Sequence, residues 1–177
     1  MLSLAEVERL AAGRGLLLRL KIRRWPGLWS LRVVAARPRG AGPPLLLGDM
    51  KGWALARPGG LHLDTLRVEG GFGVGPLIWA ATFAWALEAT PCRTARLLAI
   101  RDGEQRHRRL VRYFGRLGFR PLREVGAGPA DLPARLLWGG AGLLMEGGCA
   151  EGARRCEELL RKRRPAGLSP AAAAGSP

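Results

Sequence analysis

The chain has 177 residues, 47% of them hydrophobic, and its 29 Lys+Arg against 14 Asp+Glu give a formal net charge of +15. A chain of this length does not require disulfides or a metal for stability. Its three cysteines are odd in number and contain no Cys-x-x-Cys pair, and with two scattered histidines they complete neither a disulfide scaffold nor a zinc-ligand set. We therefore expect a stable domain without a metal, in a reducing compartment. Its basic charge indicates either an anionic partner or the arginine-rich composition that a GC-rich genome produces.

The first third of the sequence predicts one short helix and four β-strands. Residues 4–11 have helical periodicity, and Ser3 and Glu6 stand in capping-box spacing. Charged residues interrupt this segment, so it is not expected to be a secretory signal, and a cytoplasmic location follows. Short turns such as Pro26-Gly27 predict an antiparallel meander. The predicted strands are 16–25, 29–36, 45–56 and 61–68.

A glycine loop, Gly70-Gly71-Phe72-Gly73-Val74-Gly75, separates the fourth strand from an apolar helix predicted over 76–90, with Pro76 at its first position. Glycines let the backbone approach a ligand, and the first amides of a helix have no internal partners, so this arrangement is typical of anion sites. No Gly-Lys-Ser/Thr follows, which excludes a nucleoside-triphosphate loop, and a third glycine for a dinucleotide site is missing. A tight turn that uses glycine for packing alone is the alternative.

The remaining elements predict an α/β (α+β) fold, with a mixed, mostly antiparallel sheet flanked by helices. They are a strand at 95–100, a helix at 104–117, strands at 119–125 and 136–146, and a charged helix at 151–164. Gly139-Gly140 is expected to form a bulge in the last strand. We divide the chain into a domain at 1–148, a charged C-terminal helix at 149–165 and a disordered tail at 166–177.

The helix predicted over 76–90 is apolar almost all round and therefore needs cover on more than one face. The cover is either the C-terminal segment, a second copy of the chain or a docking partner. The helix is too short to span a bilayer.

Two segments, each at the junction between one predicted secondary-structure element and the next, resemble motifs of the GNAT superfamily of acyl-coenzyme A N-acyltransferases. Gly71-Phe72-Gly73-Val74-Gly75, ahead of the apolar helix, is similar to that family's pyrophosphate loop, Arg/Gln-x-x-Gly-x-Gly/Ala. Residues 112–119, Arg-Tyr-Phe-Gly-Arg-Leu-Gly-Phe, are similar to its Tyr-x-x-x-Gly-Phe. The order of elements agrees over roughly residues 15–146. The resemblance implies a GNAT-like fold and an acyl-CoA co-substrate, with acetyl-CoA as the family default and no metal.

The resemblance also implies which residues hold the coenzyme. Gly73 and Gly75 match the loop glycines, and backbone amides of residues 72–77 would bind the pyrophosphate. The family's Arg or Gln falls on Gly70, so its contribution is missing unless Arg67 reaches in from a shifted register. The implied coenzyme-binding residues are Arg67, Gly70, Gly71, Phe72, Gly73, Val74, Gly75, Leu77, Arg112 and Phe114.

Acyl transfer to an amine needs a base for the ammonium proton and is helped by an acid for the departing thiolate. Asp64 and Glu69, just ahead of the loop, are the candidate bases. The family's tyrosine falls on Phe114, which cannot donate a proton, so His107 or the neighbouring Tyr113 is the candidate acid. The competing interpretations are a solvated strand face for both carboxylates and a surface basic residue for His107.

Two functions therefore stay open. One is an acyl-CoA-dependent N-acyltransferase acting on an amine that the sequence does not name. The other is a non-catalytic interaction or assembly factor with the same fold, whose basic, tryptophan-rich surface binds an anionic protein complex, RNA or a membrane surface, with or without dimerisation. Nucleic acid is less favoured, because the tryptophans lie in apolar contexts and form no exposed stacking platform.

Overall fold

The computed structural model describes residues 1–69, 71 and 73–162. These residues form five α-helices, one 3₁₀ turn and seven strands, and the strands build one sheet in the order β1-β2-β3-β4-β5-β7-β6. The predicted mixed, mostly antiparallel sheet flanked by helices is confirmed. In chain order the elements are α1 (Leu4–Ala12), β1 (Leu17–Trp25), β2 (Leu28–Arg39), β3 (Gly42–Leu55), β4 (Leu61–Val68), α2 (Val74–Ala89), β5 (Thr94–Ile100), α3 (Glu104–Arg116), β6 (Arg120–Val125), α4 (Leu132–Trp138), β7 (Gly142–Gly148) and α5 (Cys149–Lys162).

The predicted meander is present, because β1 to β4 pair antiparallel with their sequence neighbours. Trp25 pairs with Leu28 around the two-residue Pro26-Gly27 turn, in which Gly27 has a φ of 71°. A positive φ of this kind is one that glycine adopts without strain. The predicted capping box also forms, since Ser3 Oγ accepts a hydrogen bond from the Glu6 amide and Glu6 accepts one from the Ser3 amide.

The strand predicted over 136–146 is wrong in its first part, which is the helix α4. Pro133 lies in the first turn of this helix, where its missing N–H costs no intrahelical hydrogen bond. Gly139 ends it with a φ of 76°, a left-handed helix terminus and not the predicted bulge. The strand β7 begins only at Gly142 and lies between β5 and β6 in the sheet.

The C-terminal helix α5 is part of the core and covers α2. Nearly every residue from Val74 to Ala86 is buried, and α1 and α5 both pack against α2. The buried side of α5 includes Cys156 and Leu160. The C-terminal segment, one of the three expected covers for the apolar helix, is therefore present. Residues 163–165 of the predicted charged helix, and the predicted tail at 166–177, lie outside the described residues.

The crossing of α5 over α2 depends on Gly152. A Cβ added at Gly152 would lie 2.5 Å from a ring carbon of Phe83, which is 1% exposed and cannot move aside freely. We expect Gly152→Ala to lower the free energy of unfolding by about 1–3 kcal/mol through overpacking. This loss is expected to exceed the stability gained because alanine has a higher helix propensity than glycine. Gly115→Ala in α3 is the matched control, because nothing lies within 4 Å of its added Cβ. Urea denaturation should show Gly115→Ala as neutral or stabilising, and equal stability of both variants would contradict the prediction.

The three cysteines are free and fully buried. Burial raises the pKa of the Cys149 thiol and that of the Cys156 thiol to about 12. Since the thiolate is the reactive form, these two residues are not candidate nucleophiles. In the described part of the chain no three His, Cys, Asp or Glu side chains come together as metal ligands.

No helix within residues 1–69, 71 and 73–162 has the length and apolar character needed to cross a membrane.

Candidate active site

The strands β4 and β5 are paired at one end and separate at the other. They run parallel, but only three residue pairs join them, from Leu61 opposite Ala95 to Leu63 opposite Leu97. Beyond that point β4 continues to Val68 and β5 to Ile100, but the two strands no longer pair with each other. The backbone N–H and C=O groups on the facing edges of these two segments therefore form no hydrogen bonds between β4 and β5. A gap opens in the middle of the sheet, directly ahead of the glycine loop.

A bulge in β4 lies at the start of this gap. Lys51 of β3 pairs with Thr65 and the next residue, Gly52, pairs with Leu63, so Asp64 is the extra residue on β4. A bulge of this kind bends the strand and changes the direction of a side chain. The bend at Asp64 contributes to the separation of β4 from β5.

A first cavity of about 490 Å³ lies beside the glycine loop. Three loop glycines line it, together with residues from the end of β4, the last turn of α3 and one side chain of α5. Because glycine has no side chain, the loop backbone borders this cavity directly. The lining residues are Leu66, Val68, Gly71, Gly73, Gly75, Pro76, Tyr113, Arg116, Leu117 and Leu159.

The loop enters α2 through Gly73, which has a φ of 108° and no side-chain cap. The helix begins at Val74, so Pro76 is its third residue and not its first as predicted. The Leu77 amide donates to the Gly73 carbonyl at 3.2 Å, which leaves the amides of Val74 and Gly75 as the first-turn donors. The side chains of Val74 and Leu77 are buried in the core. Of the predicted pyrophosphate amides, that of Leu77 is thus already used within the helix.

Two arginines outside the predicted coenzyme-binding set, Arg14 and Arg116, bring positive charge to the loop. A Cβ built on Gly73 would lie 3.3 Å from Nη1 of Arg14, whose Nη2 donates to the Leu160 carbonyl at 2.8 Å. Arg116, from the last turn of α3, lines the cavity itself. Arg116 could be found from its four-residue spacing to Arg112, whereas Arg14 is brought to the loop only by the tertiary structure.

The other two arginines proposed from the sequence lie elsewhere. Arg67 is exposed and does not line the cavity, because its neighbours Leu66 and Val68 occupy the cavity face and adjacent residues of a strand point to opposite faces. Arg112 lies in an open groove on α3 with Arg109, Tyr113 and Arg116, next to the cavity but outside it. Gly70 and Phe72 lie outside the described residues.

Tyr113, and not Phe114, faces the glycine loop. A Cβ added at Gly75 would lie 3.0 Å from the Tyr113 hydroxyl, which accepts a 3.0 Å hydrogen bond from the Trp79 indole N–H. Burial raises the pKa of the Tyr113 phenol to about 12. Phe114 is 7% exposed and packs edge-on against the rings of Trp79 and Phe119. The hydroxyl at the loop is therefore protonated throughout the neutral pH range.

A second cavity of about 220 Å³ lies in the gap between β4 and β5, next to the first. The two cavities share Leu66 and Tyr113. Asp64 and Thr65, at the bulge, supply the other polar side chains of the second cavity, and the rest of its lining is apolar. The glycine loop and Asp64 therefore line neighbouring cavities that have Leu66 and Tyr113 in common.

Asp64 combines solvent access with partial desolvation. The residue is exposed, yet burial at the cavity wall raises the pKa of its carboxyl, while a hydrogen bond from the Trp53 side chain lowers it. Trp53 is fixed in turn by a parallel stack on His62, with ring centroids 3.9 Å apart. Burial, with Arg96 and Arg57, lowers the pKa of His62 to about 4, so this ring is neutral at pH 7. Its two nitrogens have no hydrogen-bond partner among the described residues.

Glu69 and His107 are not brought to the cavities. Glu69 is exposed beyond the end of β4 and lines neither of them. His107 is 7% exposed, so the surface position considered from the sequence is wrong. Its Nδ1 lies 3.3 Å from the Ile100 carbonyl oxygen, which ties α3 to the end of β5. Of the four predicted catalytic residues, the structure brings together Asp64 and Tyr113.

No family model matches this sequence, and no curated protein matches it. Among solved structures the chain is similar to an uncharacterized protein from Bacillus halodurans, with a TM-score of 0.47 and 15% identity, over 75% of this chain and 67% of that one. It is also similar to nourseothricin acetyltransferase, with a TM-score of 0.44 and 14% identity, over 76% and 88% of the two chains. At these scores neither likeness assigns a function.

Proposed function

We propose that the protein is an acyl-CoA-dependent N-acyltransferase of the GNAT type. The observation that carries this proposal is the gap between β4 and β5 beyond Leu63 and Leu97, because the cavity in this gap is lined by Asp64 and adjoins the cavity at the glycine loop. The coenzyme diphosphate binds the amides of Val74 and Gly75 at the start of α2, where the helix dipole favours an anion. Arg116 and Arg14 add positive charge there. The pantetheine arm then follows the gap toward Asp64.

The reaction uses Asp64 and Tyr113 as base and acid. Asp64 takes a proton from the ammonium group of the acceptor, and the neutral amine nitrogen attacks the thioester carbonyl carbon. The C–S bond breaks, an amide bond forms, and the coenzyme leaves as a thiolate that receives the Tyr113 phenolic proton. A raised pKa suits Asp64 as a base, since it brings the carboxyl closer to the pKa of the proton donor.

The position of Tyr113 favours catalysis over the non-catalytic alternative. That alternative rested partly on Phe114, which stands where the family carries its proton donor. A hydroxyl is nevertheless present at the loop, because Tyr113 occupies the face of α3 that looks toward Gly75. An anion-binding role for the exposed α3 arginines is compatible with either function and does not distinguish between them.

Gly75→Val tests the loop as the coenzyme site. The new side chain would meet the Tyr113 hydroxyl and would cover the amides of the first turn. We expect the affinity for coenzyme A to fall on the order of a hundredfold, since charge-assisted hydrogen bonds contribute about 1.5–3 kcal/mol. Isothermal titration of the full chain with coenzyme A and with acetyl-CoA measures this.

Gly40→Val is the matched control, because nothing lies within 4 Å of a Cβ at Gly40, in the turn between β2 and β3. It should bind coenzyme A as the unmodified chain does. If Gly75→Val binds equally well, the loop is not the site. If the unmodified chain gives no heat and no thermal shift with millimolar coenzyme A, the proposed function is wrong.

A further inference from the structure

One face of the strands β1 to β4 carries a cluster of exposed cations, which we term the basic sheet face. The helices α1 and α2 pack against the other face of these strands, where Leu18, Leu31 and Met50 are buried in the core. Adjacent residues of a strand point to opposite faces, so the alternate residues point away from these helices. The exposed cations among them are Arg19, Lys21 and Arg23 of β1, Arg32 of β2, Lys51 of β3 and Arg67 of β4.

Three of these cations stand directly opposite one another. Lys21 pairs with Arg32, and Arg32 pairs with Lys51, so the row crosses β1, β2 and β3. Neighbouring strands lie about 4.8 Å apart, and like charges directly opposite each other destabilise a sheet.

The chain itself offsets only part of the charge in this row. Arg32 forms an ion pair with Asp49, with Nη2 and Oδ2 3.0 Å apart. Within the part of the chain that the structure describes, Lys21 and Lys51 have no ion-pair partner. Residues 163–177 contain no Asp or Glu that could supply one. The row therefore favours an anionic group of another molecule.

Base composition does not account for the row. A GC-rich genome enriches proteins in arginine but not in lysine, whose codons are rich in adenine. Two of the three lysines of the whole chain, Lys21 and Lys51, nevertheless stand here, on either side of Arg32. Of the two explanations for the net charge, an anionic partner is the one that fits this surface.

An exposed tryptophan stands at the hairpin end of the same face. Trp25 lies two residues beyond Arg23 on β1, so both side chains are on one side of the strand. Trp25 is 46% exposed, which differs from the expectation that the tryptophans lie in apolar contexts. Nucleic-acid bases stack on such rings without sequence preference, and cations beside them bind the phosphates. Membrane binding needs a broader apolar surface than one ring among six cations.

We propose that the basic sheet face binds single-stranded nucleic acid, with backbone phosphates at Lys21 and Lys51 and a base stacked on Trp25. This site is separate from the proposed coenzyme site, because Arg67 lies on this face whereas its neighbours Leu66 and Val68 line the first cavity on the other. The inference therefore goes beyond the acyltransferase activity and does not depend on it.

Fluorescence anisotropy of labelled 12-nucleotide oligouridylate and oligothymidylate, titrated with the full chain, tests the inference. With three to five phosphates bound, a plot of log K against log salt should have a slope of about −2 to −3.5. A 12-base-pair duplex should bind less tightly, although its charge density is higher, because its paired bases cannot stack on Trp25. A preference between the two oligonucleotides would identify the sugar. Tighter binding of the duplex, displacement by coenzyme A, or no binding at 50 mM salt would each overturn the inference.

Lys21→Gln combined with Lys51→Gln locates the phosphates. We expect this double variant to bind the oligonucleotide about tenfold more weakly and to reduce the salt slope by about 1.4. Its melting temperature should not fall, since it removes repulsion within the row. Arg109→Gln combined with Arg154→Gln is the control, because it removes the same charge from exposed positions on α3 and α5. An equal loss in the control would mean that the oligonucleotide binds charge without a defined site, and the inference would be wrong.

Trp25→Ala separates stacking from charge. It should weaken oligonucleotide binding on the order of tenfold and leave the salt slope unchanged. Leu136→Ala, which removes an exposed apolar side chain from α4, should have no effect. Sedimentation with vesicles that contain phosphatidylserine completes the test. If the chain binds these vesicles through Trp25 and does not bind the oligonucleotides, the face is a lipid-binding surface and the inference is overturned.

Discussion

Replacing Asp64 by asparagine is expected to lower kcat by a factor of about 10² to 10⁴, the usual contribution of a general base. The substitution keeps the size of the side chain and an oxygen that can accept the hydrogen bond from Trp53, but it removes the ability to take a proton. The measurement is release of coenzyme thiol from acetyl-CoA in the presence of any amine that the unmodified chain acylates. Coenzyme A affinity, measured by titration, should change little.

The pH dependence separates a base from a merely structural carboxylate. Asp64 acts in its ionised form, and burial raises its pKa above the ordinary 3.8. The acidic limb of kcat/KM should therefore rise with pH at values above 3.8 and should disappear in Asp64→Asn. Glu69→Gln is the matched control, because Glu69 is an exposed carboxylate that lines neither cavity. A larger loss in Glu69→Gln than in Asp64→Asn would reverse the assignment of the base.

The parts of the fold that depend on local sequence were predictable. Pro26-Gly27 fixes a hairpin, Ser3 with Glu6 fixes a helix start, and the run of glycines fixes the entry to α2. The strand predicted through Leu136 failed because an apolar run such as Leu-Leu-Trp suits either a strand or a short helix. Pro133 and the left-handed Gly139 select the helix.

The parts of the site that depend on packing were not predictable. Aligning the motif places the family's tyrosine on Phe114, but one residue is a turn of about 100° on a helix, and packing decides which side chain faces the loop. Phe114 joins the aromatic cluster with Trp79 and Phe119, which leaves Tyr113 at the loop. Arg14 reaches the same loop from a distant part of the chain, through contacts that no local pattern indicates.

Replacing Tyr113 by phenylalanine is expected to lower kcat by a factor of about 10² or more, because the departing thiolate loses its proton donor. The same change leaves the buried indole N–H of Trp79 without its acceptor, which should lower the free energy of unfolding by about 1–3 kcal/mol. Trp79→Phe breaks the same hydrogen bond and also costs stability through lost packing, but it keeps the phenol. If the two variants lose activity in parallel, the role of Tyr113 is structural and the proton comes from another source.

Stability at high pH gives a second test of the Tyr113 environment. The folded protein holds the phenolic proton until about pH 12, whereas an unfolded tyrosine releases it near pH 10. The resulting stabilisation is fully present below pH 10 and is lost as the pH rises toward 12. The unmodified chain should therefore lose part of its stability advantage over Tyr113→Phe across this interval, in urea titrations at successive pH values. A constant difference would mean that the phenol is not desolvated in the folded protein.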